Sequence, residues 1–428
     1  MVQNACILDI GSQCIRGGYS QETIPLTEIF LYKNHTSVSI HERKNINKNE
    51  KSLGSHCIKP THSTFRDHYK LHPIVKDGRI VDSRQLENHL IQCFTALNRL
   101  SCNRCLCDQV NNDNGSTDRT IVTMSSFSST LLPLLSPCST STNPLQELVE
   151  YLFYTKNVKH CQFVSPLLMS LYGVGCVSGL VVDIGQESSR IGCVAEGQSF
   201  ADNACVKLMK GGHTITEYLQ ERLCLNHSRV QTPYNVLEKI KRQSCFVSFD
   251  FKRDLQLAKE TSMFQKQWIL PDSTQIILNE ERFTECERFF NPTQEYLGFC
   301  EGGEVLPDLI GEVIQTIPLD LRRPLLKCIV LSGGGGLLSG FPRRLEQEIR
   351  SWYTFNILSR SSIPSHSQLM TYLLAPPERQ WLAFRGASLY AQLSASMEHS
   401  WISRSSYEEI GLRAFDCQSF KKFHATPS

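Results

Sequence analysis

The sequence predicts an α/β fold, and three observations carry that expectation. Strand-like apolar runs alternate with amphipathic helical patterns along most of the chain. The tripeptide Asp-Ile-Gly occurs twice, at Asp9 to Gly11 and Asp183 to Gly185, each time at the tip of a strand–turn–strand pattern. A further apolar run, Cys328 to Leu331, feeds into four consecutive glycines, Gly333 to Gly336, with an amphipathic segment from Phe341 to Arg350 beyond.

In chain order, Cys6-Ile7-Leu8 ends in Asp9-Ile10-Gly11 and the chain resumes at Cys14-Ile15, which predicts a hairpin over 6–20. Residues 36–56 have almost no apolar side chains after Ile40 and read as a mobile loop. Leu86, Leu90, Phe94 and Leu97, spaced by three or four, predict an amphipathic helix. Residues 119–126 predict a short strand. Residues 143–157 predict a helix with Asn143 as N-cap and Pro144 at its first position. The second hairpin covers 179–197. Two helices follow over 211–223 and 234–250, then a strand and a short helix that Pro292 stops. Residues 307–336 read as helix, helix, strand, glycines. Residues 377–394 read as a helix followed by a polar tail. No Pro/Gly/Ser-rich linker marks a boundary, so the domains are expected to share elements.

A chain of 428 residues has material for two or more domains. The formal charge of +2 gives no electrostatic argument for DNA, RNA or an anionic membrane. No apolar stretch reaches the roughly 18 residues of a membrane span. The first ten residues carry an acid where a signal peptide carries basic and then apolar residues, which predicts an intracellular protein. The 18 cysteines are scattered, and Cys6, Cys193, Cys245 and Cys328 sit in apolar runs, as buried thiols do. Cys102, Cys105 and Cys107 are denser. Cys-x2-Cys is half of a zinc spacing, but no second half stands out, and a polar surface insertion is the plainer reading.

The two Asp-Ile-Gly turns and the glycine run suit one chemistry. Main-chain N–H groups at a tight turn form a concave cluster of donors for phosphate. An Asp beside the turn repels phosphate directly but holds Mg²⁺ through water, and the metal offsets the phosphate charge. Bare glycine backbone at a strand end, opening towards a helix, lets a flat ring lie close. Each element alone is ordinary, since Asp-x-Gly is usually a turn and a glycine run usually a connector. Their succession carries the argument.

In these segments the chain resembles the actin family, almost end to end. Residues 7–12 and 179–185 resemble the two phosphate hairpins. Residues 165–175 resemble the helix linking the two large domains. Residues 211–219 and 236–250 resemble the nucleotide-proximal helices, 331–349 the adenosine segment, and 376–394 with 401–411 the C-terminal region. The resemblance implies an actin-like fold, two RNase H-like domains in four subdomains around a nucleotide cleft holding ATP or ADP with Mg²⁺. It implies a division into 1–30, 68–173 and 382–428 (subdomain 1), 31–67 (subdomain 2), 174–210 and 295–381 (subdomain 3) and 211–294 (subdomain 4).

It also implies roles. Asp9, Gly11, Ser12 and Gln13 would line the first phosphate loop, with Arg16 where the family usually has a Lys. Asp183, Gly185 and Gln186 would form the second, and Asp9 and Asp183 would hold Mg²⁺ through water. Gly212, Lys241, Gly333, Gly334, Gly335, Gly336 and Leu338 would meet the adenosine. Arg242 replaces an acid usually near the ribose, and Gln380 replaces a Lys usually near the base.

The departures bear on function. Where the family places a water-orienting Gln, this chain reads Ser165-Pro166-Leu167. Where it has an Asp and a His near the γ-phosphate, this chain reads Gln186 and Arg190. Positioning water is most of what a protein adds to phosphate hydrolysis, so at most a weak ATPase is expected. In the loop that joins subunits of a filament, residues 41–52 offer Ile46 alone to bury, so long homofilaments are not expected. The leading expectation is a structural subunit of a multiprotein complex alongside other actin-related proteins, in the cytoplasm and cytoskeleton, such as dynactin's pointed-end complex. The alternatives are a nuclear chromatin-remodelling complex, a conventional filament-forming actin, or a small-molecule kinase of the same fold.

Overall fold

The computed structural model describes residues 5–30, 38–40, 74–76, 79–104, 119–124, 143–199, 206–226, 232–291, 305–358, 372–397 and 400–415. The chain forms two units: residues 1–176 with 381–428, and residues 177–380. The expected mixed α/β architecture holds in each.

The first unit is built on a seven-stranded sheet. Its strands run in the order Ile402–Ser403, His160–Val164, Arg119–Met124, Cys6–Ile10, Cys14–Tyr19, Thr27–Phe30 and Val38–Ile40. Cys6–Ile10 pairs parallel with Arg119–Met124, which pairs parallel with His160–Val164, and the remaining pairs are antiparallel. The Cys6–Ile10 strand is buried along its whole length, because helices cover both faces of the sheet. Its side chains alternate between two cores. Cys6, Leu8 and Ile10 pack with Leu86, Leu90 and Leu148, from the helices Ser83–Arg104 and Pro144–Glu150. Ile7 packs with Met169, Phe384 and Ala387, from the helices Pro166–Gly173 and Leu382–Leu393.

Local signals act as the sequence predicts. The Asn143 side chain accepts a hydrogen bond from the Leu145 N–H at 3.0 Å, and Pro144 opens the helix. Cys6, Cys93 and Cys161 are buried thiols. Burial pushes all three up, Cys93 to about 12, so these thiols stay protonated at neutral pH.

Two expectations for this unit need correction. Val38–Ile40, at the start of the expected loop, is a strand that extends the sheet against Thr27–Ile29. The polar tail is also structured: Ile402–Ser403 pairs with Cys161 and His160, and a helix runs over Arg404–Ile410. The Ser403 hydroxyl caps that helix by accepting from the Ser406 N–H at 3.1 Å, and Trp401, Ile402 and Tyr407 are buried. The rest of the 36–56 segment, Ile46 included, lies outside the described residues. So do Cys105 and Cys107, while Cys102 lies on the helix Ser83–Arg104.

The second unit has a six-stranded sheet. Its path runs Gln198–Ser199, Ser188–Ala195, Gly179–Ile184, Ile329–Ser332, Leu373–Leu374, with Val206–Lys210 pairing to Ser188–Ala195 off that path. Its core joins Leu180, Val182 and Leu331 to Leu219, Ile240, Leu309, Phe341 and Leu345 from the surrounding helices. A two-stranded ribbon, Lys266–Ile269 with Gln275–Leu278, is antiparallel. Phe251, Leu255 and Phe283 form a smaller cluster of their own. Among the described residues no helix is long and apolar enough to cross a membrane, and no group of three or more His, Cys, Asp or Glu could hold a metal ion.

Candidate functional site

The two Asp-Ile-Gly turns are the same hairpin built twice, once in each unit. In the first, Ile10 pairs with Ile15 across the turn and Asp9 pairs with Arg16. In the second, Ile184 pairs with Ser189 and Asp183 with Arg190. Each Asp therefore lies opposite an Arg on the adjacent strand, one step back from its turn. In each unit, too, a parallel strand flanks the Asp on its other side, with Thr123 beside Asp9 and Ser332 beside Asp183.

In the first hairpin this row is a line of hydrogen bonds. Thr123 Oγ1 donates to Asp9 Oδ1 at 2.7 Å, and Arg16 Nη1 donates to Asp9 Oδ2 at 2.8 Å. The row continues across the third strand, where Glu28 is the register partner of Arg16. Arg16 Nε donates to Glu28 Oε1 at 3.1 Å, and Trp381 Nε1 donates to the same oxygen at 2.8 Å. Burial alone would lower the proton affinity of Arg16. Cys14, Asp9 and Glu28 beside it more than reverse that, so the guanidinium stays charged. The turn is closed by the Gly11 N–H donating to the Cys14 carbonyl at 3.0 Å, with Gly11, Ser12 and Gln13 half-buried.

In the second unit the glycine run meets the hairpin directly. Gly333 has φ of 87°, and a Cβ there would stand 2.3 Å from the Ile184 carbonyl oxygen and 2.7 Å from Asp183 Oδ1. A Cβ on Gly335 would fall 2.4 Å from Ile184 Cγ2. Gly334 alone faces open space. The run therefore serves first to let the chain pass against the second hairpin. Arg379 braces it, Nε donating to the Gly336 carbonyl at 2.8 Å while its own carbonyl accepts from the Gly333 N–H. The glycines lead into a short 3-10 turn, Gly335–Leu337, and Leu338 is buried. The helix begins only at Phe341.

Behind the second hairpin lies a buried polar network. The helix Gly212–Asn226 starts on the hairpin's turn, with the Gly212 N–H donating to the Gly185 carbonyl and the His213 N–H to the Gln186 carbonyl. Gln186 Nε2 donates to Tyr234 Oη at 2.6 Å and to Glu238 Oε1 at 2.8 Å. Lys241 Nζ donates to Glu238 Oε1 at 2.6 Å, the Gly212 carbonyl at 2.8 Å and Thr216 Oγ1 at 2.8 Å. Burial pushes the Glu238 carboxyl up. Lys241, with hydrogen bonds from Lys241, Thr216 and Gln186, outweighs that and holds it below the usual carboxylate range. Tyr234 Oη also shares a hydrogen bond with His213 Nδ1 at 2.8 Å. Arg242 points outward and exposed, 3.8 Å from Glu238 Oε2.

Within the second unit the structure thus brings Asp183, Gly185, Gln186, Gly212, Lys241, Gly333 and Gly335 into one connected cluster. Arg242 stands at its outer side, and Gln380 follows the bracing Arg379, half-buried. Sequence reasoning missed Glu28 and Glu238, the two carboxylates that engage Arg16 and Lys241. Glu238 was findable, because it precedes Lys241 by three positions on one predicted helix. Glu28 needed the strand register.

Comparison with known proteins agrees with this geometry. The sequence profile of the actin family matches residues 2–234 and 226–420. The chain is 29% identical over 276 residues to Actin-related protein 2 of Arabidopsis thaliana, covering 64% of this chain and 69% of that protein. Against Actin-related protein 2 of Oryza sativa, in both the indica and japonica subspecies, it is 29% identical over 272 residues, 62% of this chain and 68% of each relative.

Proposed function

The chain belongs to the actin family as a divergent actin-related protein, and from that premise we propose that it binds an adenine nucleotide with Mg²⁺ and serves chiefly as a structural subunit of a larger cytoskeletal assembly. The observation that carries this reading is the repeated hairpin, with Asp opposite Arg in both units. Asp9, Gly11, Ser12, Gln13 and Arg16, with Asp183, Gly185 and Gln186, take the phosphates. Gly333 to Gly336, Gly212, Lys241, Arg242, Leu338 and Gln380 take the adenosine. The donor set fits. The Asp183 carboxylate stands at the glycine run, and a Cβ at Gly334 would meet nothing within 4 Å, which leaves space for a ring. Bound through water at Asp9 and Asp183, Mg²⁺ would supply charge neutralisation to the phosphates.

Turnover is slow on this reading. At the helix start where a water-orienting amide would stand, Ser165 precedes Pro166 and Leu167. The one amide in the second turn, Gln186, is committed to Tyr234 and Glu238. The four-subdomain division given above, a cytoplasmic location, absence of long homofilaments, and membership of a complex such as dynactin belong to the same proposal. Four measurements test it: equilibrium binding of a fluorescent ATP analogue with Mg²⁺ or EDTA, steady-state phosphate release, pelleting at micromolar concentration, and mass spectrometry of proteins co-purifying from native extract. Binding with phosphate release below that of conventional actin, no pelleting, and recovery with other actin-related proteins is the expected pattern. Turnover equal to actin's, or filaments of the pure protein, would refute it.

A further inference from the structure

The two hairpins share a plan but differ in what lies beyond the Arg. In the second, the strand next to Arg190 presents Leu208. In the first, the strand next to Arg16 presents Glu28. By side-chain type the row Asp9–Arg16–Glu28 has two acids and one base, a formal net charge of −1. Arg16 is turned into the row, with Nη1 on Asp9 and Nε on Glu28. Glu28 is fixed in place, since its Oε1 accepts from Trp381 as well as from Arg16. The three side chains are 9–17% exposed, so solvent screens them only in part.

We propose that Glu28 is a specificity-determining residue of the first hairpin: an internal counter-charge to Arg16 that makes phosphate binding there depend on a divalent cation and holds down affinity for the more highly charged nucleotide. This rests on the nucleotide reading given above. A phosphate oxygen approaching the turn meets a guanidinium already shared between two acids. The residual negative charge repels a triphosphate more than a diphosphate, and a divalent cation offsets that repulsion. The second hairpin, with Leu208 in the corresponding place, adds no such acid.

The test is calorimetric titration of ATP and ADP, with and without Mg²⁺, into the full-length protein and three variants. Glu28→Gln removes the charge while its amide oxygen can still accept from Arg16 and Trp381. It should bind Mg-ATP about tenfold more tightly, gain less for ADP, and lose part of its Mg²⁺ requirement. Arg16→Gln leaves a row of net charge −2 and should bind about tenfold more weakly. If Glu28→Gln alone does not fold, the double variant Arg16→Gln/Glu28→Gln, which leaves no part-buried guanidinium short of its second acid, is compared with Arg16→Gln and should regain wild-type affinity. Wild-type binding with Glu28→Gln unchanged within about twofold, or a double variant no tighter than Arg16→Gln, overturns the role of Glu28 and leaves the nucleotide reading standing. No binding by any of the four proteins overturns both.

Discussion

Hairpin one and hairpin two start from the same tripeptide and the same cross-strand pairing, yet each cation is neutralised by a different route. Arg16 is answered along the sheet, by Asp9 and Glu28 on the strands to either side. In the second unit, besides the Arg190 opposite Asp183, a cation from a separate helix, Lys241, stands beside the turn, and Glu238, one turn away on that helix, answers it. The first route is short and lies 9–17% exposed, while Lys241 and Glu238 are 6–7% exposed. The Asp-Ile-Gly turn therefore fixes backbone shape and leaves the local charge to whatever the neighbouring strand or helix contributes.

The largest test of that contrast is Glu238→Ala. It leaves the Lys241 ammonium buried without its counter-ion and should destabilise the protein by about 3–5 kcal/mol in urea unfolding. Glu28→Ala leaves Arg16 its pairing with Asp9 and should cost less, about 1–2 kcal/mol. Equal losses would erase the distinction between the two routes. The turns themselves differ next. A Cβ on Gly185 would stand 2.5 Å from the Ser188 carbonyl oxygen, whereas one on Gly11 would stand 3.3 Å from that of Cys14. Gly185→Ala should therefore cost about 2–3 kcal/mol and Gly11→Ala less than about 1. If Gly11→Ala proves the more damaging, the two turns are not equivalent in the way their register indicates.

A second acid–cation–acid arrangement supplies a pH test. Arg344 donates to both oxygens of Glu287 and to Glu348. Burial pushes the Glu287 carboxyl up to about 7 against the pull of Arg344. A carboxyl with a raised folded-state value holds its proton more tightly when folded. Its contribution is full below the ordinary value near 4.5 and is lost as pH rises through about 7. Stability should fall by the order of 1–2 kcal/mol between pH 5 and pH 8, and Glu287→Gln should flatten the slope. A melting temperature that rises over that window would reverse the assignment. The smallest effect belongs to Thr123→Val, which removes one hydrogen bond to Asp9 and should cost about 1 kcal/mol by the same denaturation assay.

Much of this architecture is legible in the residues, where local signals and long-range packing agree. The Cys6–Ile10 and Gly179–Ile184 strands read as continuous apolar runs because helices bury both faces of each sheet. The helix Ser83–Arg104 reads from its leucine spacing, and the helix at Pro144 from its cap. What escapes is set by partners far along the chain. Ile402–Ser403 is too short to announce itself as a strand, and becomes one by pairing with Cys161 and His160. Val38–Ile40 looks like the edge of a polar loop until Thr27–Ile29 is there to pair with it. The glycine run points to a ligand, yet Gly333 and Gly335 are glycines because Ile184 stands against them. Glu28 is an unremarkable acid on a short strand until the register sets it beside Arg16.

Of the four tryptophans in the chain, at 268, 352, 381 and 401, Trp381 has its indole N–H bonded to Glu28, the acid that also holds Arg16 of the first hairpin. That bond gives the protein an optical readout of its own. A ligand that drew Arg16 away from Glu28 would alter the polarity around Trp381 and shift its ultraviolet emission, with no dye attached, and Trp381→Phe would silence the signal while leaving the other three indoles as an internal reference.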